Sequence, residues 1–257
     1  MTLPKGKLYL VPAPLDFGCD TQAPLQDVMP LATLTIAAQL PCWICENAKS
    51  TRAYLKRIGE LMPLSQPVQA LHISELPREV HKKGDHGGQF DARPLLQPAL
   101  QGHDMGLVSE AGMPAIADPG SSVVRAAHDL GVQVVPLTGP MSLMLALASS
   151  GLNGQNFAFV GYLPQDAGER SQRIRELESL ALKTGQTQIF IETPYRNAAL
   201  LGALLQTMNG NTRLALSCGL TLEAAWSRSA QVSVWKSRRD DKPAPPLGLP
   251  TVFCIGR

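Results

Sequence analysis

The sequence predicts an α/β protein of two domains. Short β-rich runs alternate with helical periods, which argues for a mainly parallel sheet covered by helices. Turn formers bound nearly every run. Between Asn153 and Pro164 the pattern breaks in a turn-rich Asn-Gly-Gln-Asn and an apolar run, and then alternation restarts. The boundary is placed there, giving domains 1–156 and 157–257.

In order, Lys7–Val11 is a strand stopped by Pro12, and Pro12-Ala13-Pro14 forces an extended or turning loop. Trp43–Cys45 is a second strand. Lys49–Leu61 has helical spacing, with Ala53, Leu55, Ile58 and Leu61 apolar. Gly84–Arg93 is polar and glycine-rich and reads as an exposed loop. Met105–Val108 is a strand, Ser121–Leu130 a helix closed by Gly131, and Val132–Pro136 a strand. Met141–Ser150 is a small-residue apolar helix ending at Gly151. The second domain brings helix Glu169–Leu182, strand Gln188–Ile191, helix Asn197–Met208 and strand Arg213–Ser217. The stretches Ala230–Trp235 and Thr251–Ile255 are β-like, and the proline-rich Lys242–Pro250 is a loop.

The 257 residues are 44% hydrophobic and 17% charged, enough core for one large domain or two modest ones. A net charge of +2 permits an RNA partner without arguing for one. No apolar run has the length of a membrane span, and Met1–Lys7 shows no leader, so a cytoplasmic protein is expected. Five cysteines scattered over the chain fit reduced thiols.

Two segments carry the chemistry. Leu107–Gly120 reads Leu-Val-Ser-Glu-Ala-Gly-Met-Pro-Ala-Ile-Ala-Asp-Pro-Gly, a strand-to-helix loop with small residues that admit a ligand to the backbone. A plain turn reads equally well from this loop alone. Val134–Gly151 is a strand, a tight Thr-Gly-Pro turn and a helix. Ser142 in its first turn is either a polar-ligand contact or an ordinary cap.

Together these segments resemble ribosomal RNA small subunit methyltransferase I, a branch of the tetrapyrrole methylases. Leu107–Gly120 is similar to that family's V-S-D-A-G-T-P-G-I-S-D-P-G, and Val134–Gly151 to V-P-L-P-G-P-S-A followed by a helix. Leu8–Pro14 resembles L-Y-I-V-P-T-P, Phe157–Pro164 resembles F-x-F-x-G-F-L-P, Gly168–Arg170 matches G-E-R, and Phe190–Arg196 resembles F-Y-E-S-P-H-R. The resemblance covers nearly the whole chain. It implies two α/β domains with S-adenosylmethionine in the cleft between them, and a homodimer. Carried over by position, the cofactor contacts are Pro12, then Ser109, Glu110, Ala111, Gly112, Pro114 and Ile116, then Ser142 and Leu143. Phe159, Gly161, Ile191, Cys218 and Gly219 complete the set. The implied activity is methylation of ribosomal RNA at a ribose 2'-oxygen. A tetrapyrrole acceptor, or binding of the cofactor without catalysis, are the rival readings.

The acceptor loops depart from the family. Its P-I-G-N-L-G-D-I-T is replaced by Pro14-Leu15-Asp16-Phe17-Gly18-Cys19-Asp20-Thr21. Its A-E-D-T-R-x-T-R becomes Cys45-Glu46-Asn47-Ala48-Lys49-Ser50-Thr51-Arg52. Glu46, Lys49 and Arg52 are the acceptor-side candidates. Glu46 is a base or hydroxyl-orienting group, or else a salt-bridge partner of Arg52; Lys49 is a base or, with Arg52, an anion contact. Glu110 and His72 are further bases considered, with His72 more at home in a core or at a strand edge. Cys42-Trp43-Ile44-Cys45 has redox spacing but lies on a strand, so buried thiols are expected, and no metal site. Arg170, Arg173 and Arg175, alternating with Glu169, Glu176 and Glu178, read as a solvated helix face. Lys236, Arg238, Arg239 and Lys242 form the densest basic cluster.

Overall fold

Proline sets the first turns of the fold. Pro24 and Pro30 stand at the starts of two short helices that periodicity alone did not reveal, because a fixed φ near the helical value suits a helix entry. The computed structural model describes residues 4–83, 85, 87, 90–237 and 243–257. It divides into two units, Met1–Pro140 and Met141–Arg257.

The first unit runs β1 (Leu8–Leu10), α1 (Leu25–Val28), α2 (Leu31–Gln39), β2 (Cys42–Cys45), α3 (Ala48–Leu61), β3 (His72–Glu75), α4 (Arg78–Lys83), α5 (Gln97–Leu100), β4 (Met105–Val108), α6 (Ser121–Asp129) and β5 (Val134–Pro136). Its strands form a parallel sheet in the order β3-β2-β4-β1-β5. A parallel sheet is covered on both faces, and two apolar clusters do so. Trp43 and Cys45 face a cluster with Leu34, Leu55 and Ile58 of α2 and α3. Cys42 and Ile44 face the other, with Ala99, Val123 and Ala127. The CxxC cysteines thus point to opposite faces of the sheet, and both are free thiols. Burial pushes the Cys45 thiol up to about 11, as the buried-thiol reading requires. Trp43 lies across Gly106 of the neighbouring strand. A β-carbon there would come within 2.6 Å of the indole ring, so the strand needs glycine at that point.

The second unit comprises α7 (Ser142–Ser150), β6 (Phe157–Tyr162), α8 (Ala167–Thr184), β7 (Thr187–Glu192), α9 (Asn197–Thr207), β8 (Arg213–Cys218), β9 (Trp226–Gln231), α10 (Val232–Lys236) and β10 (Thr251–Gly256). Its sheet has the order β6-β7-β10-β8-β9, with β6 and β7 parallel and the other pairs antiparallel. Phe190 and Phe253 stack at 5.8 Å in the core beneath α8 and α9. Helix α7 covers the opposite face, placing Leu143, Ala146 and Leu147 against Ile189, Ala215, Val252 and Cys254.

Three sequence expectations change. The division falls at Pro140–Met141, ahead of α7, not at 156–157. Periodicity shows that a helix has an apolar face but not which sheet receives it. The β-like Ala230–Trp235 splits, because the strand ends at Gln231 and Val232–Lys236 is helical. Trp235 there donates its indole N–H to the Leu214 carbonyl at 2.9 Å, a tertiary contact that overrides local β-propensity. Glu178 leaves the solvated face of α8. It is buried and accepts from the Asn209 amide at 2.8 Å and the Thr212 hydroxyl at 2.5 Å. Arg173 and Glu176 remain an exposed pair. Arg238, Arg239 and Lys242 of the basic cluster, and part of the Gly84–Arg93 loop, lie outside the described residues.

Candidate active site

Ligands of open α/β sheets collect at the carboxyl ends of strands, where connections diverge. In the first unit the chain leaves β1 for β2 on one side of the sheet and leaves β4 for β5 on the other. The loops after β1 and β4 are joined by a two-residue bridge. Ala13 N–H donates to the Gly112 carbonyl at 2.9 Å, and Gly112 N–H returns to Ala13 at 3.0 Å. The Tyr54 hydroxyl of α3 donates to the Pro12 carbonyl at 2.9 Å, anchoring the first loop from below.

The loop after β4 is under backbone strain. Ala115 and Ala117 both have φ of 65°, a left-handed conformation that disfavours a β-carbon, and Gly112 lies at 70°. Ala115 stands where the family pattern quoted above has glycine. Strain of this kind gathers at ligand-binding loops. The turn also brings Asp118 back toward Glu46 and Glu110. Burial first, then the Asp118 carboxylate, pushes Glu46 up to about 8. Ser109 pulls it back and Glu110 adds to the rise. Asp118 is pushed up to about 6, mainly by burial and then by Glu110. Glu46 Oε1 is buried without a well-formed hydrogen bond, and so is Ser109 Oγ beside it. Glu46 forms no ion pair with Arg52 among the described residues, so the salt-bridge reading does not hold.

Helix α3 starts at this end of β2. The Asn47 side chain accepts from the amides of Lys49 and Ser50 at 2.9 and 3.4 Å, and Glu75 accepts from Ala48 at 2.6 Å. The residue that departs from the family's acid therefore keeps a helix-capping role. Lys49 and Arg52 are exposed on the first turns of α3. The Ser50 hydroxyl reaches Glu110 at 3.3 Å. His72 lies at the opposite end of the sheet, at the start of edge strand β3, where it contacts Ser74. It takes no part in the site.

The structure thus gathers Pro12, Glu46, Lys49, Arg52, Ser109, Glu110, Ala111, Gly112, Pro114 and Ile116 at the carboxyl ends of the first sheet. Ser109, Gly112 and Pro114 are buried and Ile116 is exposed. The remaining expected contacts belong to the second unit. Ser142 opens α7, whose N-terminus has no side-chain cap. Leu143, Phe159 and Ile191 share one apolar cluster, and the Leu143 side chain is committed to it. Gly161, with φ of 74°, sits at an irregularity in the β6–β7 pairing. The Cys218 thiol is buried, and Gly219 uses its amide on Pro250 and its carbonyl on Leu222. Sequence reading missed Asp118 and the ion pair between Asp16 and Arg57. The pair's two contacts are both 3.1 Å, and Asp16 is almost wholly buried. Asp118 had a visible signal, since it lies inside the quoted loop motif.

Known proteins match this arrangement. The fold is that of the two-domain tetrapyrrole methylases. The methyltransferase CobJ superposes with a TM-score of 0.58 at 16% identity, covering 98% of this chain and 94% of its own. Uroporphyrin-III-C-methyltransferase from Thermus thermophilus gives 0.53 at 16%, with the same coverage. No family model matches. In sequence, ribosomal RNA small subunit methyltransferase I of Vibrio cholerae is 32% identical over 223 residues, 86% of this chain and 67% of that protein. The Mesorhizobium japonicum protein of the same name is 34% identical over 215 residues, 83% of this chain and 63% of its own length. The chain belongs to the ribosomal RNA small subunit methyltransferase I family. It spans about two thirds of the length of the relatives it matches.

Proposed function

We propose that the protein transfers the methyl group of S-adenosylmethionine to a ribose 2'-oxygen of ribosomal RNA. The observation that carries this reading is the carboxyl-end site itself. A strained, small-residue loop lies beside the Glu46 carboxyl, whose pKa burial raises, in a chain whose relatives are named ribosomal RNA small subunit methyltransferase I. The residues present suit the cofactor. The uncapped N-terminus of α7 at Ser142 and Leu143 offers amides to a carboxylate, and Ser109 lends its backbone on the loop after β4. Glu110, Ala111, Gly112, Pro114 and Ile116 would supply backbone groups and apolar walls, with Pro12, Phe159, Gly161, Ile191, Cys218 and Gly219 as further contacts.

When bound, S-adenosylmethionine supplies an electrophilic methyl on a sulfonium, already a good leaving group. The protein's own task is positioning and proton handling. In its ionised form Glu46 takes the proton of the acceptor hydroxyl, a role for which a pKa near working pH is suited. Lys49 and Arg52, exposed beside it, hold phosphate oxygens and fix the acceptor's register. The described residues contain no helix long and apolar enough to cross a membrane. A cytoplasmic homodimer is part of the same proposal, supported by Met144 and Leu145, which stand exposed on α7. Light scattering that returns 27.6 kDa at micromolar concentration would remove the dimer.

Transfer of tritium from labelled cofactor tests the activity, with small ribosomal subunits, total RNA and tetrapyrrole precursors as acceptors. Labelled RNA is expected. Label in a tetrapyrrole and in no RNA would replace the acceptor, and cofactor binding without transfer to any acceptor would replace the enzyme with a binder.

A further inference from the structure

A cavity of about 230 Å³ opens between the loop after β1, the first turns of α3 and the start of the loop after β4. We infer that it receives the unstacked base of the nucleotide being methylated, a reading that rests on the RNA assignment above. Ala13, Pro14, Ala53 and Val108 give it apolar walls, and Phe17 stands 45% exposed. Ser109, 95% buried by its 5% exposure, contributes a hydroxyl with no partner of good geometry. Glu110 adds an acceptor carboxylate, which takes a hydrogen bond from the Ser50 hydroxyl at 3.3 Å.

Charge decides what kind of ligand fits. The one cation in the lining, Arg57, spends its guanidinium on Asp16 and on the Ala23 carbonyl at 2.7 Å. Glu110 and the paired Asp16 leave nothing to attract a phosphate. The cavity therefore suits a neutral, flat group with apolar faces and a hydrogen-bonding edge. Size narrows it further. Pockets for drug-sized ligands begin near about 300 Å³, so this one suits a single ring system and not a macrocycle. A base drawn out of its stack has these properties, and enzymes acting on structured nucleic acid commonly hold one so. The exposed Phe17 ring offers it a stacking surface.

The adenine of the cofactor is also a base, so the test separates the two sources. Protein labelled at its alanine methyls is first saturated with S-adenosylhomocysteine and then titrated with nucleosides, or with ribose 5-phosphate as control. Nucleosides should shift the Ala13 and Ala53 signals, and ribose 5-phosphate should not. Ala53→Phe fills the cavity from an exposed helix position. It should erase the nucleoside-induced shift of the Ala13 signal and raise KM for RNA about tenfold, with S-adenosylhomocysteine affinity unchanged. Phe17→Ala, a change in an exposed loop, should weaken nucleoside binding about tenfold. Signals already moved by S-adenosylhomocysteine and deaf to nucleosides would give the cavity to the cofactor and overturn the inference. RNA methylation by Ala53→Phe at the wild-type KM overturns the base pocket alone. A wild type that labels no RNA overturns the function beneath it, and the transfer assay reports that separately.

Discussion

Replacing Glu46 by Gln should change how stability depends on pH. Burial and the nearby Asp118 raise its carboxyl from 4.5 to about 8. An acid raised in this way keeps its proton in the folded chain while the unfolded chain has lost it. Its contribution is therefore neutral below about 4.5, and stability falls as pH climbs from there to 8. The gap corresponds to roughly 4–5 kcal/mol, and partial solvation reduces it to about 2–4 kcal/mol. Between pH 5 and 8 the wild type should lose about that much more than Glu46→Gln, in which Asp118 still titrates, measured as the urea midpoint at unchanged m-value. Glu46→Gln, which carries no ionisable group, should lose distinctly less over the same range. Parallel pH profiles for the two proteins would refute the argument, because Glu46 would then titrate as an ordinary solvated acid. The same proton bears on activity. Because burial raises the Glu46 carboxyl to about 8, methyl transfer should rise with pH toward 8, and the Gln variant should lose that rise.

Other expectations follow from single residues. Ala115→Gly relieves a left-handed φ worth about 1–2 kcal/mol and gives back about 0.4–1 kcal/mol in chain entropy, so a net gain of about 0.5–1 kcal/mol should appear as a higher thermal midpoint. A lower midpoint would mean the β-carbon is needed for packing. Asn47→Ala removes the cap of α3 and should cost about 1 kcal/mol in chemical denaturation, whereas Asn47→Asp should cost little. Lys49→Ala and Arg52→Ala should lower methylation of RNA and leave cofactor affinity unchanged by calorimetry. A loss of cofactor affinity in either variant would move these residues to the cofactor side.

The legible parts of the fold were those with local signals. Met105–Val108 followed by Leu107–Gly120 and α6 announced a strand, a loop and a helix, and the structure places them so. Trp43–Cys45 and Gln188–Ile191 were legible as strands too, within β2 and β7. What escaped depended on distance or on disguise. Helices α1 and α2 hide behind Pro24 and Pro30, which look like loop residues. Arg57 and Asp16 are 41 positions apart, and nothing in either neighbourhood names the other. Asp118 reaches the site only because Ala115 and Ala117 adopt conformations that alanine rarely does. The assignment of α7 to the second sheet needed the partner surface as well as the helix.

The bridge between Ala13 and Gly112 binds two stretches of chain that stand differently against the quoted family patterns. The first loop has lost most of its family pattern, while the loop after β4 keeps it nearly intact. Joined by a reciprocal pair of amide hydrogen bonds, neither backbone can shift far without dragging the other. The start of the first loop, at Ala13, is thereby held on a path that the second loop shares, while Asp16 and Phe17 lie beyond it. A chain built this way can change the side chains beyond Ala13 while the backbone at the mouth of both loops stands still.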